Sequence, residues 1–227
     1  MTLLQELKYP LTRIGERLDA KTIHYLDSAL NYLAVGRWMR VHGFDVNNRA
    51  KRREQLFDIV GSEVGDKEVL YLEFGVAEGA ATRYWSKLLH NPRSKLHGFD
   101  SFEGLPEDWN LRIKKGSFSV GGEAPRIEDT RVQFFKGWFD QILPVYTVPA
   151  HEVLVLVMDA DLYSSTTLVL NALENEIVPG TYIYFDEFND RTQELRAFDN
   201  FIRDTGRNFL LLGVTRGLEH ALFKCVP

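Results

Sequence analysis

The segment from Glu68 to Leu89 constrains what this chain can become: a short apolar run, EVLYLEFG, opens through a glycine-bracketed turn, GVAEGA, into residues spaced as a helix. Leu70 and Leu72 are strand-like, Gly75 and Gly79 flank the turn, and Ala81, Tyr84, Trp85, Leu88 and Leu89 recur at helical intervals. The segment therefore reads as strand, glycine loop, helix. Two glycines let the backbone approach a ligand that a Cβ would push away, and the N–H groups opening the helix are free to face polar or anionic groups. The spacing of Glu73, Gly75 and Gly79 departs from the GxGxxG fingerprint of dinucleotide-binding folds, and an acid just before the turn would repel a pyrophosphate. A cofactor with a cationic end suits Glu73 better.

From Lys67 onward strands and helices alternate, which implies a mostly parallel, doubly wound α/β sheet with helices on both faces. The expected strands run from Val69 to Glu73, Lys95 to Phe99, Arg131 to Phe135, Val153 to Met158, Thr181 to Phe185, Phe209 to Val214 and Ala221 to Val226, seven in all. The last two are joined by TRGLEH, too short for a crossover helix, so they should form an antiparallel hairpin. The stretch from Ser101 to Thr130 is rich in Gly, Pro and charge, and a loop of that length in a compact domain suggests a lid or binding loop.

Residues 1–66 read as a helical cap or oligomerisation segment, and residues 67–227 as the ligand-binding domain. Ile23, Leu26, Leu30 and Leu33 recur at three and four and Gly43 makes a stop, so one amphipathic helix is expected from about Ala20 to His42, with a surface to bury against. The next run, NNRAKRREQLFDIVGSEVGD, reads as a helix starting at an Asn cap. Its cluster of Arg49, Lys51, Arg52 and Arg53 is read as a solvated helix face, with an anionic substrate or partner as the functional alternative.

With 227 residues, 44 % of them hydrophobic, the chain can bury one sizeable core. Its net charge of −5 gives no nucleic-acid footprint. No apolar stretch approaches membrane-span length and the first residues resemble no signal peptide, so a soluble cytoplasmic protein is expected. Cys225 stands alone, which excludes an intrachain disulfide and a cysteine metal site.

Two sets of acids carry the chemistry. Asp100 ends the second strand, roughly 20 to 30 residues after the glycine loop, where a carboxylate can accept ribose hydroxyls. The strand VLVLVMD delivers Asp159 to a carboxyl end with Asp161 two residues on, and TYIYFDE delivers Asp186 and Glu187 to the end of the next. Carboxylates converging on one rim would raise one another's pKa, so a bound cation or cationic ligand is the economical expectation. Oxygen ligands without cysteine point to Mg²⁺, with Mn²⁺ or Ca²⁺ as substitutes.

LEFGVAEG, GFDSFEGLPEDW, KGSF, FFKGWFDQILP, MDADLYSST and YFDEFND followed by ELRAF together resemble the macrocin O-methyltransferase-like family of class I S-adenosylmethionine-dependent methyltransferases, over about Leu70 to Phe201. The resemblance implies a Rossmann-like fold and an S-adenosylmethionine site at Glu73, Gly75 and Gly79, with a ribose contact at Asp100 and adenine neighbours at Ser101, Phe102, Gly137 and Trp138. It also implies a divalent ion held by acids after the two later strands, here Asp159, Asp186 and Glu187, where relatives often show two aspartates in place of Asp186-Glu187. The expected activity is methylation of a hydroxyl on a small acceptor such as a sugar or glycoside, with Asp159 or Asp161 as general base. A metal-free enzyme of the same fold and a non-catalytic cofactor-binding module are the alternatives. No nucleic-acid or membrane partner is expected, and the N-terminal helices could form a homo-oligomer.

Overall fold

The computed structural model describes residues 3–45, 47–110 and 112–227. Met1, Thr2 and Val46 of the N-terminal segment and Leu111 of the long loop lie outside the described residues.

The frame is one sheet of eight strands: β1 (Arg49–Ala50), β2 (Val69–Phe74), β3 (Lys95–Asp100), β4 (Val132–Lys136), β5 (Val153–Met158), β6 (Tyr182–Phe185), β7 (Asn208–Thr215) and β8 (Ala221–Val226). Their spatial order is β1-β7-β8-β6-β5-β2-β3-β4. The expected hairpin is present, with β8 inserted antiparallel between β6 and β7 while the other pairings are parallel. The seven expected strands therefore become eight. The addition is β1, which pairs with β7 through Arg49 to Val214 and Ala50 to Thr215. Two residues carry no alternation from which a strand could be read.

β1 also corrects the helix expected there. Helix α3 runs Glu54–Val64, not from an Asn cap, so Arg49 lies in a strand and Lys51, Arg52 and Arg53 precede the helix. The remaining helices are α1 (Leu3–Gly15), α2 (Ala20–Val41), α4 (Ala80–Leu88), α5 (Phe139–Ile142), α6 (Tyr163–Ala172) and α7 (Glu194–Thr205).

Side chains of the central strands alternate between two cores, as the period of two requires. Tyr71, Val155, Val157 and Tyr184 meet α3 and α4 through Phe57, Val60, Ala81 and Trp85. Leu70, Leu72, Phe74, Leu156 and Phe185 meet α2, α6 and α7 through Met39, Val169, Leu170 and Phe198. Central parallel strands buried on both faces read as continuous apolar runs, which is why VLVLVM and YIYF were legible as strands.

Helix α2 does not dock by the expected leucine row. Ile23, Leu26, Leu30 and Leu33 are 45 to 70 % exposed, whereas Val35 and Met39 are buried. Its docking stripe is Asn31, Val35, Trp38 and Met39: Asn31 Nδ2 donates to the Asn189 carbonyl at 2.6 Å and Trp38 Nε1 to Asp199 Oδ1 at 2.6 Å. Two polar anchors and two apolar contacts place the row to one side of the interface. Among the described residues, no helix is long and apolar enough to cross a membrane.

His97, buried in β3, sits 2.7 Å from the Tyr146 hydroxyl. Burial, helped by Lys95, lowers its pKa to about 4. The unfolded chain then binds a proton near pH 6.5 that the folded chain refuses, so this stability is present above about 6.5 and is lost as pH falls toward 4. At 1.4 kcal/mol per unit the effect is about 3 kcal/mol. We expect His97→Gln to lose less stability than the wild type between pH 7 and 4.5 in urea unfolding; equal losses would place the His97 proton elsewhere.

Candidate active site

Parallel topology aligns the carboxyl ends of β2, β3, β5 and β6, and a cavity of about 540 Å³ opens above them, within the size usual for small-ligand sites. The glycine turn after β2 forms its floor. Gly75 has φ +93°, and a Cβ there would lie 1.8 Å from the Asp159 carbonyl oxygen, so the two loops close on each other only with glycine.

Asp100, at the tip of β3, accepts from the Val76 and Ala77 N–H groups at 2.8 and 2.9 Å and from Phe102 N–H at 2.7 Å. Three of its roughly four acceptor positions thus hold the glycine turn and the next loop. It lines the cavity with Ser101, and Gly137 and Trp138 line another part of the wall. The long loop from 101 to 130, which contains no helix or strand among its described residues, contributes Leu105, Trp109 and Phe118. Glu107 Oε1 of that loop accepts from Ser164 Oγ of α6 at 2.5 Å.

Asp159, Asp161, Asp186 and Glu187 all line the cavity. Burial pushes Asp161 up to about 7, aided by Glu187, Asp186 and Asp100, and pushes Glu187 up to about 7, aided by Asp186. Asp159 is raised well above the carboxylate range by burial and then by Asp186 and Asp161. Asp186 goes the other way. Burial alone would raise it, but His220, Tyr184 and Arg53 hold it below its usual value. Tyr184 donates its hydroxyl to Asp186 Oδ1 at 2.6 Å, and His220 Nδ1 lies 3.2 Å from the same oxygen. The guanidinium of Arg53 is 3.1 Å from Asp186 Oδ1 and 3.6 Å from Asp159 Oδ2. The charged form is thus favoured at Asp186 and disfavoured at Asp159, where Arg53 offsets part of the cost.

Asp161 stands apart from these ties. Its backbone is left-handed at φ +60°, costly for a side-chain-bearing residue and characteristic of functional turns. Its carboxylate accepts no hydrogen bond from any described residue. It does not cap α6 either: Leu162 occupies the cap position, and the Tyr163 N–H is taken by Gln193 Oε1 at 2.7 Å.

Glu73, Gly79 and Phe102 lie outside the cavity lining. Glu73 shares the strand face of Tyr71 and is fully buried, accepting the Tyr71 hydroxyl at 2.8 Å and the Thr82 hydroxyl. Gly79, with φ +76°, starts α4 and packs under Pro125 and Ile127. Phe102 is buried against Phe134. The arrangement does not fit a divalent ion as it stands. Arg53 engages one oxygen of Asp159 and one of Asp186, and among the described residues no group of three or more His, Cys, Asp or Glu side chains is placed to hold a metal.

Two residues escaped the sequence reading of the site. Arg53 looked like part of a solvated face because β1 was invisible. Glu194, within the ELRAF stretch, is a fully buried acid that accepts from Ala160 N–H at 3.3 Å and Glu187 N–H at 3.0 Å, tying the two acid loops together.

The fold is that of the class I methyltransferases. The calicheamicin methyltransferase superposes over 75 % of this chain and 76 % of its own, with TM-score 0.59 and 22 % identity. The O-methyltransferase NovP superposes over 77 % and 78 %, again with TM-score 0.59 and 22 % identity. A cmcI structure described as Mg-SAM covers 77 % of this chain and 71 % of its own at TM-score 0.51 and 12 % identity. More narrowly, residues 122–209 match the model of the macrocin O-methyltransferase (TylF) family, the family that the motifs resemble. In sequence the chain is 30 % identical over 172 residues to a demethyldecarbamoylnovobiocin O-methyltransferase of Streptomyces niveus, covering 64 % of this chain. It is 29 % identical over 137 residues, 52 % of this chain, to 8-demethyl-8-(2,3-dimethoxy-alpha-L-rhamnosyl)-tetracenomycin-C 4'-O-methyltransferase of Streptomyces olivaceus. The chain spans 63 % and 52 % of the lengths of these two relatives.

Burial raises the Glu73 pKa to about 7, opposed by its hydrogen bonds from Thr82 and Tyr71. Its contribution is therefore present below about pH 4.5 and lost as pH rises through 7. Glu73→Gln keeps an acceptor for both hydroxyls and removes the ionisation. Expected is no change near pH 4.5 and a stabilisation at pH 8 approaching 3 kcal/mol, read by denaturant midpoint; a destabilised variant at pH 8 would show that the buried charge is needed.

Proposed function

We propose that this chain is an S-adenosylmethionine-dependent O-methyltransferase acting on a hydroxyl of a sugar, glycoside or other small metabolite, with Asp161 as its general base. The observation that carries the reading is the Asp161 carboxylate, lining the cavity from a left-handed turn with no hydrogen-bond partner among the described residues. The names of the two relatives, both O-methyltransferases and one specified for a rhamnosyl-bearing tetracenomycin, support the acceptor class.

The cavity suits the cofactor. Asp100 retains acceptor capacity for a ribose hydroxyl, Ser101, Gly137 and Trp138 offer a partly apolar wall for a base, and the acid rim tolerates a cation. The bound cofactor supplies a methyl group on a sulfonium. The chain does the rest. Asp161 takes the acceptor's proton as the oxygen gains its methyl carbon, and Trp109 and Phe118 reduce water access from the long loop. A base near pKa 7 rather than 4 makes proton removal about 4 kcal/mol less uphill. Asp159 is the weaker candidate because Arg53 stands against it.

Calorimetric titration with S-adenosylhomocysteine should show binding, and a flat titration would sink the reading. In an acceptor screen led by deoxysugar glycosides, Asp161→Asn should lower kcat/KM by roughly 10²- to 10⁴-fold while leaving that affinity within about threefold. Wild-type kcat/KM should rise with pH and level off above about 7. An Asp161→Asn enzyme with full activity would remove Asp161 as the base.

The exposed row Ile23, Leu26, Leu30 and Leu33 on α2 supports the further reading that the N-terminal helices form a homo-oligomer. Light scattering should find more than one copy, converted to monomer by Leu26→Asp with Leu33→Asp; a wild-type monomer would dismiss it.

A further inference from the structure

We propose that Arg53 is the resident counter-cation of the acid site, engaging Asp159 and Asp186 as an internal ion pair that weakens divalent-ion binding there. The inference goes beyond the proposed reaction and does not depend on the acceptor.

The geometry is specific. Arg53 is held on both sides: β1 pins the chain to β7 just before it, and its carbonyl accepts from Leu56 N–H at 2.9 Å as α3 begins, next to the buried Leu56 and Phe57. From there its side chain reaches the acids without lining the cavity. Nη1 lies 3.1 Å from Asp186 Oδ1 and 3.6 Å from Asp159 Oδ2. Asp186 Oδ1 also receives the Tyr184 hydroxyl at 2.6 Å and has His220 Nδ1 at 3.2 Å. That oxygen has no free lone pair for a metal. Mg²⁺ asks for near-octahedral oxygens at about 2.0–2.1 Å and is repelled by a neighbouring guanidinium, which arginine does not relinquish by deprotonation. An ion could settle on the remaining carboxylate oxygens only against that charge.

The test is Mn²⁺ titration of the full chain, read by the electron-paramagnetic-resonance signal of the free ion, with thermal melting to confirm folding. Wild type should bind Mn²⁺ no more tightly than the millimolar range, and Arg53→Met at least tenfold more tightly. Adding Asp159→Asn to Arg53→Met should abolish the gain. Should Arg53→Met not fold, Arg53→Gln, which keeps a donor but no charge, carries the same expectation. Micromolar binding by wild type would overturn the proposal without any variant, and so would equal or weaker binding after Arg53 is replaced. S-adenosylhomocysteine titration of the same samples separates the two ideas: its failure dismisses the methyltransferase reading and leaves the Mn²⁺ result standing.

Discussion

The crowding of carboxyl groups on one rim is the constraint around which this site is built. β2, β5 and β6 are adjacent and parallel, so their ends step across one edge: the Asp159 N–H reaches the Phe74 carbonyl at 2.9 Å, and the Asp186 N–H reaches the Met158 carbonyl at 2.9 Å. Acids placed just after these strands must therefore share one partly dry space. Full ionisation would be prohibitive, since each neighbour adds repulsion to the cost of desolvation. The molecule resolves this unequally. Asp186 is surrounded by Arg53, Tyr184 and His220 and keeps its charge, while Asp159, Asp161 and Glu187 are pushed toward their protonated forms.

A buried acid outside the cavity keeps that division in place. Glu194, at the start of α7, accepts from the loops that carry Asp161 and Glu187. An acid in the first turn of a helix is favoured by the free N–H groups and the helix dipole. Burial raises its pKa well above the usual range, opposed by the hydrogen bonds it accepts from the Glu187 and Ala160 N–H groups. The left-handed turn at Asp161 then has a backbone partner next to it at Ala160, which offsets part of the strain stored there.

Where local pattern and burial coincided, the sequence was readable. VLVLVM, YIYF and the ALFKCV hairpin strand are apolar enough to declare themselves, and the acids at their ends follow from where such strands stop. What was hidden depended on partners distant in the chain. β1 is a strand only because β7, more than 150 residues later, offers it an edge. Without β1, Arg53 looks like one more cation on a wet helix. Glu73 lies outside the cavity lining for a related reason. It alternates in register with Tyr71, but which sheet face meets α4 and its Thr82 is a tertiary fact, and that face leads away from the cavity.

The contact between Gly75 and Asp159 explains why the two halves of the site cannot drift apart. The glycine turn crosses the carbonyl of the residue that begins the acid loop, at a separation that admits no Cβ. Asp100 then ties that turn to the end of β3 through three backbone hydrogen bonds. Floor, acid rim and the Asp100 carboxylate form one hydrogen-bonded unit set on buried parallel strands. The outer wall is held differently: Trp109 and Phe118 rise from a loop without regular structure among its described residues, tied to α6 by the Ser164 hydroxyl donated to Glu107. Trp109 and Phe118 line the cavity from that loop without belonging to this unit, so substitutions there can reshape the cavity without disturbing the Gly75–Asp159 contact.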